Sequence, residues 1–549
     1  MTLQPHREIL EFWRTVARFS FRDGAYIFGG PAQSNSVSDA RQLLCLLWPA
    51  TQEPRYRIDV PDATSEEALE PLQIIGDRHS APLRLIRAQT AYMTRYADVE
   101  GRPTFEAGEE GVEVVESFAI GIQMSLAAIG FGRVFRSEVS DDSATAEAER
   151  LEKLASVRLS VAMIGLLRSF AVTLFDDESP SGTALHRLIE QEHRDLRAVL
   201  GEYRSEIAEL RARLLEDVTV GSVAPPGSGD RSYVSCGWAW GPIAGAPQIE
   251  TSASGIRQAE GLAAPVADPY FTWLVLDVVR ELTSTRTRLL GLLDPEQARL
   301  AQALQLRMEL ARFYWSRLAT FGDHRWPLER LPWPSDHADY TSVVIAGILV
   351  HNLAASFGNT DLGFAYLLRI LGRLAARQEI VRPPHTDGSP PVAAPDDHRI
   401  ELSFADPGRT GSHRGPDFTA VLFDVLLNAA ATTNSEQLRR EFTDLAGLVW
   451  DHLPDGASTT DWRNAHRLVC GLVTATYVTG GETGRSGPPL GFVHQLLADA
   501  DAAFDQVAEG DRTELAARLD RARRIIDQHP ARAAALLYQV LGVLDEHLQ

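Results

Sequence analysis

A chain of 549 residues, 44% hydrophobic and 23% charged, has the balance of a folded globular protein and length for roughly two to four packed units. Its formal charge of −21 repels phosphate backbones, and its arginines alternate with acids at helical spacing, as in Glu202 to Arg213, so no nucleic-acid partner is expected. Lysine occurs once, as Lys153, outside any GxxxxGK[ST] loop, kinase strand motif or SxxK motif, which argues against nucleoside triphosphate hydrolysis, kinase chemistry and a Schiff-base cofactor.

Apolar residues recur at three- and four-residue spacing along most of the chain, and β-branched alternation is scarce. The pattern predicts an all-α fold, an array of antiparallel helix pairs in the manner of an α/α toroid or an irregular solenoid. In chain order the predicted helices cover 5–19, 37–48, 82–97, 112–135, 144–175 and 183–217, then 269–291, 295–321, 339–356 and 361–379, and finally 417–432, 435–452, 461–478, 489–507, 511–528 and 531–547. Ser38-Asp39 opens the second of these, Asp294-Pro295 opens another, and Pro530 stands in the first turn of the last.

These elements group into an N-terminal helical domain over 1–218, a Gly/Pro/aromatic loop region over 219–268, a central helical domain over 269–380, a linker or exposed loop over 381–416 and a C-terminal helical domain over 417–549. The 381–416 stretch holds one strand-like run, Arg399 to Phe404, suited to a small hairpin. Within 183–217, the residues Ile189, His193, Leu196, Leu200, Tyr203, Ile207, Leu210 and Leu214 follow the four-three spacing of a coiled-coil seam. The seam suits pairing with the preceding helix better than an identical copy, because it holds a His and a Tyr; a homodimer through 185–214 is the alternative.

The apolar stretches Ser117 to Phe135 and Val157 to Phe175 approach membrane-span hydrophobicity, but Gln123 and Arg133 interrupt the first and Arg168 the second. They read as buried core helices, without stable membrane insertion. Met1 to Phe19 is amphipathic and lacks the apolar run of a secretory signal, and the three cysteines, Cys45, Cys236 and Cys470, are odd in number and far apart. A cytoplasmic location is expected.

Four segments concentrate reactive side chains. Arg22-Asp23-Gly24 followed by Asn35-Ser36-Val37-Ser38-Asp39 places Arg22, Asp23, Asn35 and Asp39 where a helix begins, and free backbone N–H groups there favour an anionic ligand; a glycine turn and a Ser38 or Asp39 cap explain the same residues structurally. Asp323-His324-Arg325-Trp326 and Trp333-Pro334-Ser335-Asp336-His337-Ala338-Asp339-Tyr340 bring His324, Arg325, Trp326, Asp336, His337 and Asp339 between two helices, with the histidines as acid–base candidates and a helix cap with loop packing as the plainer reading. Cys236, Trp238 and Trp240 form an aromatic loop in which Cys236 has no basic neighbour in sequence. His466 and Cys470 lie one helical turn apart, two ligands where zinc takes four, so no metal and no cofactor is expected. The acid pairs Asp141-Asp142 and Asp176-Asp177-Glu178 are isolated and read as helix-end acids.

Phe19 to Gly24, Asn35 to Asp39, Gln42 to Thr51, Cys236 to Gly241 and Trp326 to Glu329 together resemble an actinobacterial family of uncharacterised helical proteins, across most of the chain. That family looks like one encoded beside a variant nucleotide-binding-fold protein and a methyltransferase-like protein, which implies a shared pathway or complex. The resemblance carries no activity and no catalytic residue.

The expected function is therefore a non-enzymatic helical scaffold or adaptor with protein partners in a cytoplasmic multi-protein system. The rival expectation is an enzyme or small-molecule-binding protein with a pocket between the 22–39, 233–240 and 323–340 segments.

Overall fold

The structure is a computed structural model. It describes residues 3–29, 34–107, 112–175, 178–189, 233–251, 256–320, 328–331, 337–356, 360–380, 399–406, 409–453, 461–479 and 512–525, with single positions at 333, within 198–208 and within 497–540. The chain separates into two units, residues 1–478 and 479–549. The second unit's described helix is Arg512–Ile525, within the predicted 511–528.

The protein is mostly helical, as the periodicity predicts. Helix α1 (Pro5–Ser20) buries Ile9, Phe12, Trp13, Val16 and Ala17 on one face. A tight hairpin of β1 (Phe21–Arg22) and β2 (Ala25–Tyr26) follows, turning at Asp23 and Gly24 with φ of 53° and 75°, the two positive values of the turn that Asp-Gly favours. Helices α2 (Ser36–Gln52) and α3 (Ser80–Arg95) lead to α4 (Val115–Glu138), which is joined by a three-residue connection to α5 (Asp142–Arg168).

Helices α4 and α5 form the most extensively packed pair, and close approach is possible because Gly165 faces the Phe118 ring: a Cβ there would stand 2.5 Å from it. Beyond them come α6 (Pro180–Ile189), α7 (Pro269–Leu282), α8 (Pro295–Thr320), α9 (Ala338–Ala355), α10 (Asp361–Arg377), α11 (Phe418–Thr432), α12 (Glu436–His452) and α13 (Trp462–Thr479). The helices α2, α4, α7, α9 and α11 pack in that order through the middle, while α5, α8, α10 and α12 cover them. Two described helices, α4 and α9, are long and apolar enough to cross a membrane, yet 89% and 67% of their apolar windows are buried inside the chain, as core helices require.

The predicted helix over 144–175 stops at Arg168. Phe170–Phe175 is instead strand β5, paired antiparallel with β6 (Tyr233–Trp238) from the predicted loop region, in a register running from Phe170 opposite Trp238 to Phe175 opposite Tyr233. Aromatic and β-branched residues suit both strands, but the pairing spans some sixty residues of chain, which local periodicity cannot register. Strands β3 (Glu106–Ala107) and β4 (Val112–Glu113) make a short pair, and β7 (Arg399–Asp406) with β8 (Arg409–Asp417) make the hairpin expected around Arg399 to Phe404.

Of the heptad seam, Ile189, Tyr203 and Ile207 are described, and all three are buried within this chain. Tyr203 and the half-buried His186 pack against Tyr233 of β6, and Arg204 donates to the Tyr233 hydroxyl at 2.9 Å. His193, Leu196, Leu200, Leu210 and Leu214 lie outside the described residues, as do most of the predicted 489–507 and 531–547 helices, with Pro530.

Candidate functional site

A constellation of buried polar groups sits on helices that read as largely apolar. Asp277 of α7, Asp424 of α11, His351 of α9 and Arg467 of α13 converge: Arg467 donates to Asp277 at 2.8 Å and to Asp424 at 3.0 Å, and His351 Nε2 lies 2.9 Å from Asp277. Asn428 donates to Asp424 and accepts from Arg280, while the Arg467 guanidinium lies over the Trp273 ring, 4.1 Å from its centroid. Burial pushes Asp277 up, but the His351 hydrogen bond and the Arg467 charge outweigh it and hold the carboxyl below its usual range. For Asp424 burial wins, and its pKa rises to about 6 despite Arg467. Burial also lowers His351, against the pull of Asp277. Every member has a partner, so the cluster is a buried ionic tie between four helices.

A second tie lies one turn earlier on α13. Arg41 of α2 is ion-paired with Glu116 of α4, both fully buried, and Arg463 Nε lies 3.7 Å from the same carboxylate. Tyr270 of α7 donates its hydroxyl to Glu116 at 3.3 Å. Its other side faces a cavity.

That cavity, about 330 Å³, opens between the β5–β6 pair and helices α6, α7, α8 and α9. Thr173, Phe175 and Ser235 line it from the strands, Ala184, Leu185 and Leu188 from α6, and Tyr270 from α7. Tyr314, Trp315 and Leu318 of α8 form a second wall; Trp333, Tyr340, Thr341 and Val344 form a third. Its polar groups are mostly engaged. Asp268 accepts from the backbone N–H groups of Tyr270 at 2.8 Å and Phe271 at 3.2 Å, capping α7. Tyr340 donates to the Pro416 carbonyl at 3.1 Å, and Trp333 to Ser342 at 3.1 Å. Burial pushes the phenols of Tyr270, Tyr314 and Tyr340 upward, so at neutral pH they are protonated donors. The Trp315 indole N–H has no acceptor among the described residues. Aromatic faces around an apolar space are equipment for holding a ring-bearing molecule.

None of the described residues predicted from sequence as ligand-binding is among those lining this cavity. Arg22 and Asp23 are exposed on the hairpin tip. Asn35, rather than Ser38 or Asp39, caps α2, accepting from Val37 N at 3.1 Å and Ser38 N at 2.9 Å. Asp39 points inward, accepting from Tyr96 at 2.6 Å and Ser34 at 2.7 Å; burial raises its pKa and those bonds oppose the rise. None of the four lines the cavity. Trp238 is fully buried and donates to the Leu166 carbonyl at 2.9 Å, fixing β6 to α5, and the Trp240 carbonyl accepts from Val115 at 2.8 Å.

Asp339 pairs with Arg377 at 2.5 Å and Gln378 at 2.7 Å, and His337 is exposed at the α9 cap position without a side-chain capping bond. His324, Arg325, Trp326 and Asp336 lie outside the described residues. Cys236 is buried and burial pushes its thiol up; His466 and Cys470 lie 3.6 Å apart, and no cluster of three or more metal-ligating groups occurs among the described residues.

The 233–240 and 323–340 segments thus meet at the cavity through Ser235, Trp333 and Tyr340, while Tyr270, Tyr314 and Trp315 were not singled out from sequence. The buried acids carried a readable signal: Asp277 and Asp424 follow apolar runs in which no other acid stands, where a charge needs a partner. No curated protein and no solved structure matches the chain. The SCO2524-like family model matches residues 1–461, and the chain belongs to that family.

Proposed function

We propose that the protein binds a small, ring-bearing molecule in the cavity between the β5–β6 pair and helices α6 to α9. The observation that carries this reading is a cavity of about 330 Å³ walled by Tyr270, Tyr314, Trp315, Trp333 and Tyr340, at the lower end of the size range of small-molecule sites. Apolar walls supply affinity by removing ligand surface from water, and the aromatic faces favour a flat ring. The scaffold reading has less behind it, because Ile189, Tyr203 and Ile207 of the heptad seam are buried inside the chain instead of waiting for a partner.

The test uses Ala184, a half-buried wall residue on α6. Titration of the intact protein with naphthalene, read through its fluorescence, is expected to give one saturable site. Ala184→Phe should weaken that binding at least tenfold while the far-ultraviolet circular dichroism stays unchanged. Absence of saturable binding, or binding indifferent to the substitution, contradicts the proposal.

A further inference from the structure

The residues lining the cavity differ in burial according to the element they come from. Tyr270, Tyr314, Trp315, Trp333, Tyr340 and Val344, from α7 to α9 and the segment before α9, are all buried. Val266 is 66% exposed, Ser181 in the first turn of α6 is exposed, and Thr173, Phe175, Ser235 and Ala267 are half-buried. These less buried residues come from adjoining pieces of chain. Thr173 stands opposite Ser235 in the β5–β6 ladder, the Thr173 hydroxyl donates to the Pro265 carbonyl, and the Asp268 N–H donates to the Trp238 carbonyl at 2.8 Å. The strands and the 265–269 segment therefore form one side of the cavity. A cavity wall that also meets solvent marks the mouth, so that side is the open end and the α8–α9 side the closed end.

Polarity follows the same grade. Residues opposite each other on a ladder share a face, and alternate residues along a strand do too, so Thr173, Phe175 and Ser235 turn the same face to the cavity. The Ser181 and Ser235 hydroxyls have no partner among the described residues, and solvent reaches both. At the closed end the polar atoms are committed or sealed. Tyr340 donates to the Pro416 carbonyl, Tyr270 to Glu116 and Trp333 to Ser342, and the Trp315 N–H is packed beside Gly237, which does not line the cavity. A polar group carried to that end loses its water and finds no free partner, whereas one left at the mouth keeps its water and meets two serine hydroxyls.

We infer that the ligand is an amphiphile held one way round, with an apolar ring in the closed end and a single hydrogen-bonding tail leaving between Ser181 and Val266. This rests on the cavity being the ligand site, and it adds the chemical class and the direction of entry. The ring gains by leaving water among aromatic faces. The tail sets no limit on length, because beyond the mouth it lies in solvent.

Three probes test this on the full-length chain: naphthalene, 2-naphthol etherified with triethylene glycol, and 2,6-dihydroxynaphthalene etherified in the same way at both oxygens. Fluorescence titration is expected to give the one-tailed ether a Kd within about threefold of naphthalene, because its tail stays in water. The two-tailed ether should bind at least about thirtyfold more weakly than the one-tailed ether, because one of its tails has to enter the closed end. Ala184→Phe should weaken the one-tailed ether and naphthalene alike. Equal affinity of the two ethers overturns the inference: both tight would mean that the far end is open, and both weak that no tail can leave. A one-tailed ether indifferent to Ala184→Phe overturns it as well. In each of these cases saturable naphthalene binding that responds to Ala184→Phe keeps the cavity reading in place, and its absence overturns that reading itself.

Discussion

Asp277 and Asp424 share one arginine and shift in opposite directions, because Asp277 also holds His351 whereas Asp424 relies on Arg467 and Asn428 against its burial. Linkage turns this into a pH dependence. An acid whose folded pKa is raised lends stability that is present below its unfolded value, about 3.9, and is lost as pH climbs through the folded value, here about 6. Asp424→Asn should remove that loss, so the variant gains stability relative to the unsubstituted chain as pH rises from about 4 to about 7. Urea melts at a series of pH values measure the difference, and a flat difference would contradict the assignment. The lowered Asp277 and His351 act the other way, losing stability on acidification. Asp277→Ala leaves Arg467 with Asp424 alone, removes the partner of buried His351, and is expected to cost about 3–5 kcal/mol. At this scale the sequence was partly legible. The cap of α2 reads as Ser38 or Asp39 in sequence and is Asn35, and an acid inside an apolar helix signals a buried ion pair without naming a partner that lies 190 residues on, as Arg467 does from Asp277.

At the scale of elements, packing depends on where the large side chains find room. Gly165 on α5 gives the Phe118 ring of α4 its place, and the added methyl of Gly165→Ala would meet that ring at 2.5 Å. The expected loss is about 1–3 kcal/mol, read as a lower denaturation midpoint; an unchanged midpoint would mean that the helices separate freely. Helical periodicity exposed most of these elements because one stripe of each faces the core. It failed where Phe170–Phe175 continues an apolar run as a strand, since the same residues serve both structures until a distant partner decides. The cavity was hidden for that reason: its walls come from β5, β6, α6, α8 and α9, and no local pattern joins them.

For the whole molecule, helix α13 ties the first unit together beyond the end of the family match at residue 461. Trp462 donates to the Gly29 carbonyl at 3.0 Å, Arg463 approaches Glu116, and Arg467 bridges Asp277 and Asp424. A chain ending at residue 478 should melt cooperatively and bind naphthalene, because the cavity lies within the first unit; one ending at 461 should lose the cooperative transition. Equal behaviour of the two truncations, followed by calorimetry, would show that α13 is dispensable. The central claim is that the aromatic cavity is a ligand site. It is tested most directly by a crystal structure of the full-length protein soaked with naphthalene. The prediction is density for the ring among Tyr314, Trp333 and Tyr340. Naphthalene bound elsewhere with this cavity empty would contradict it.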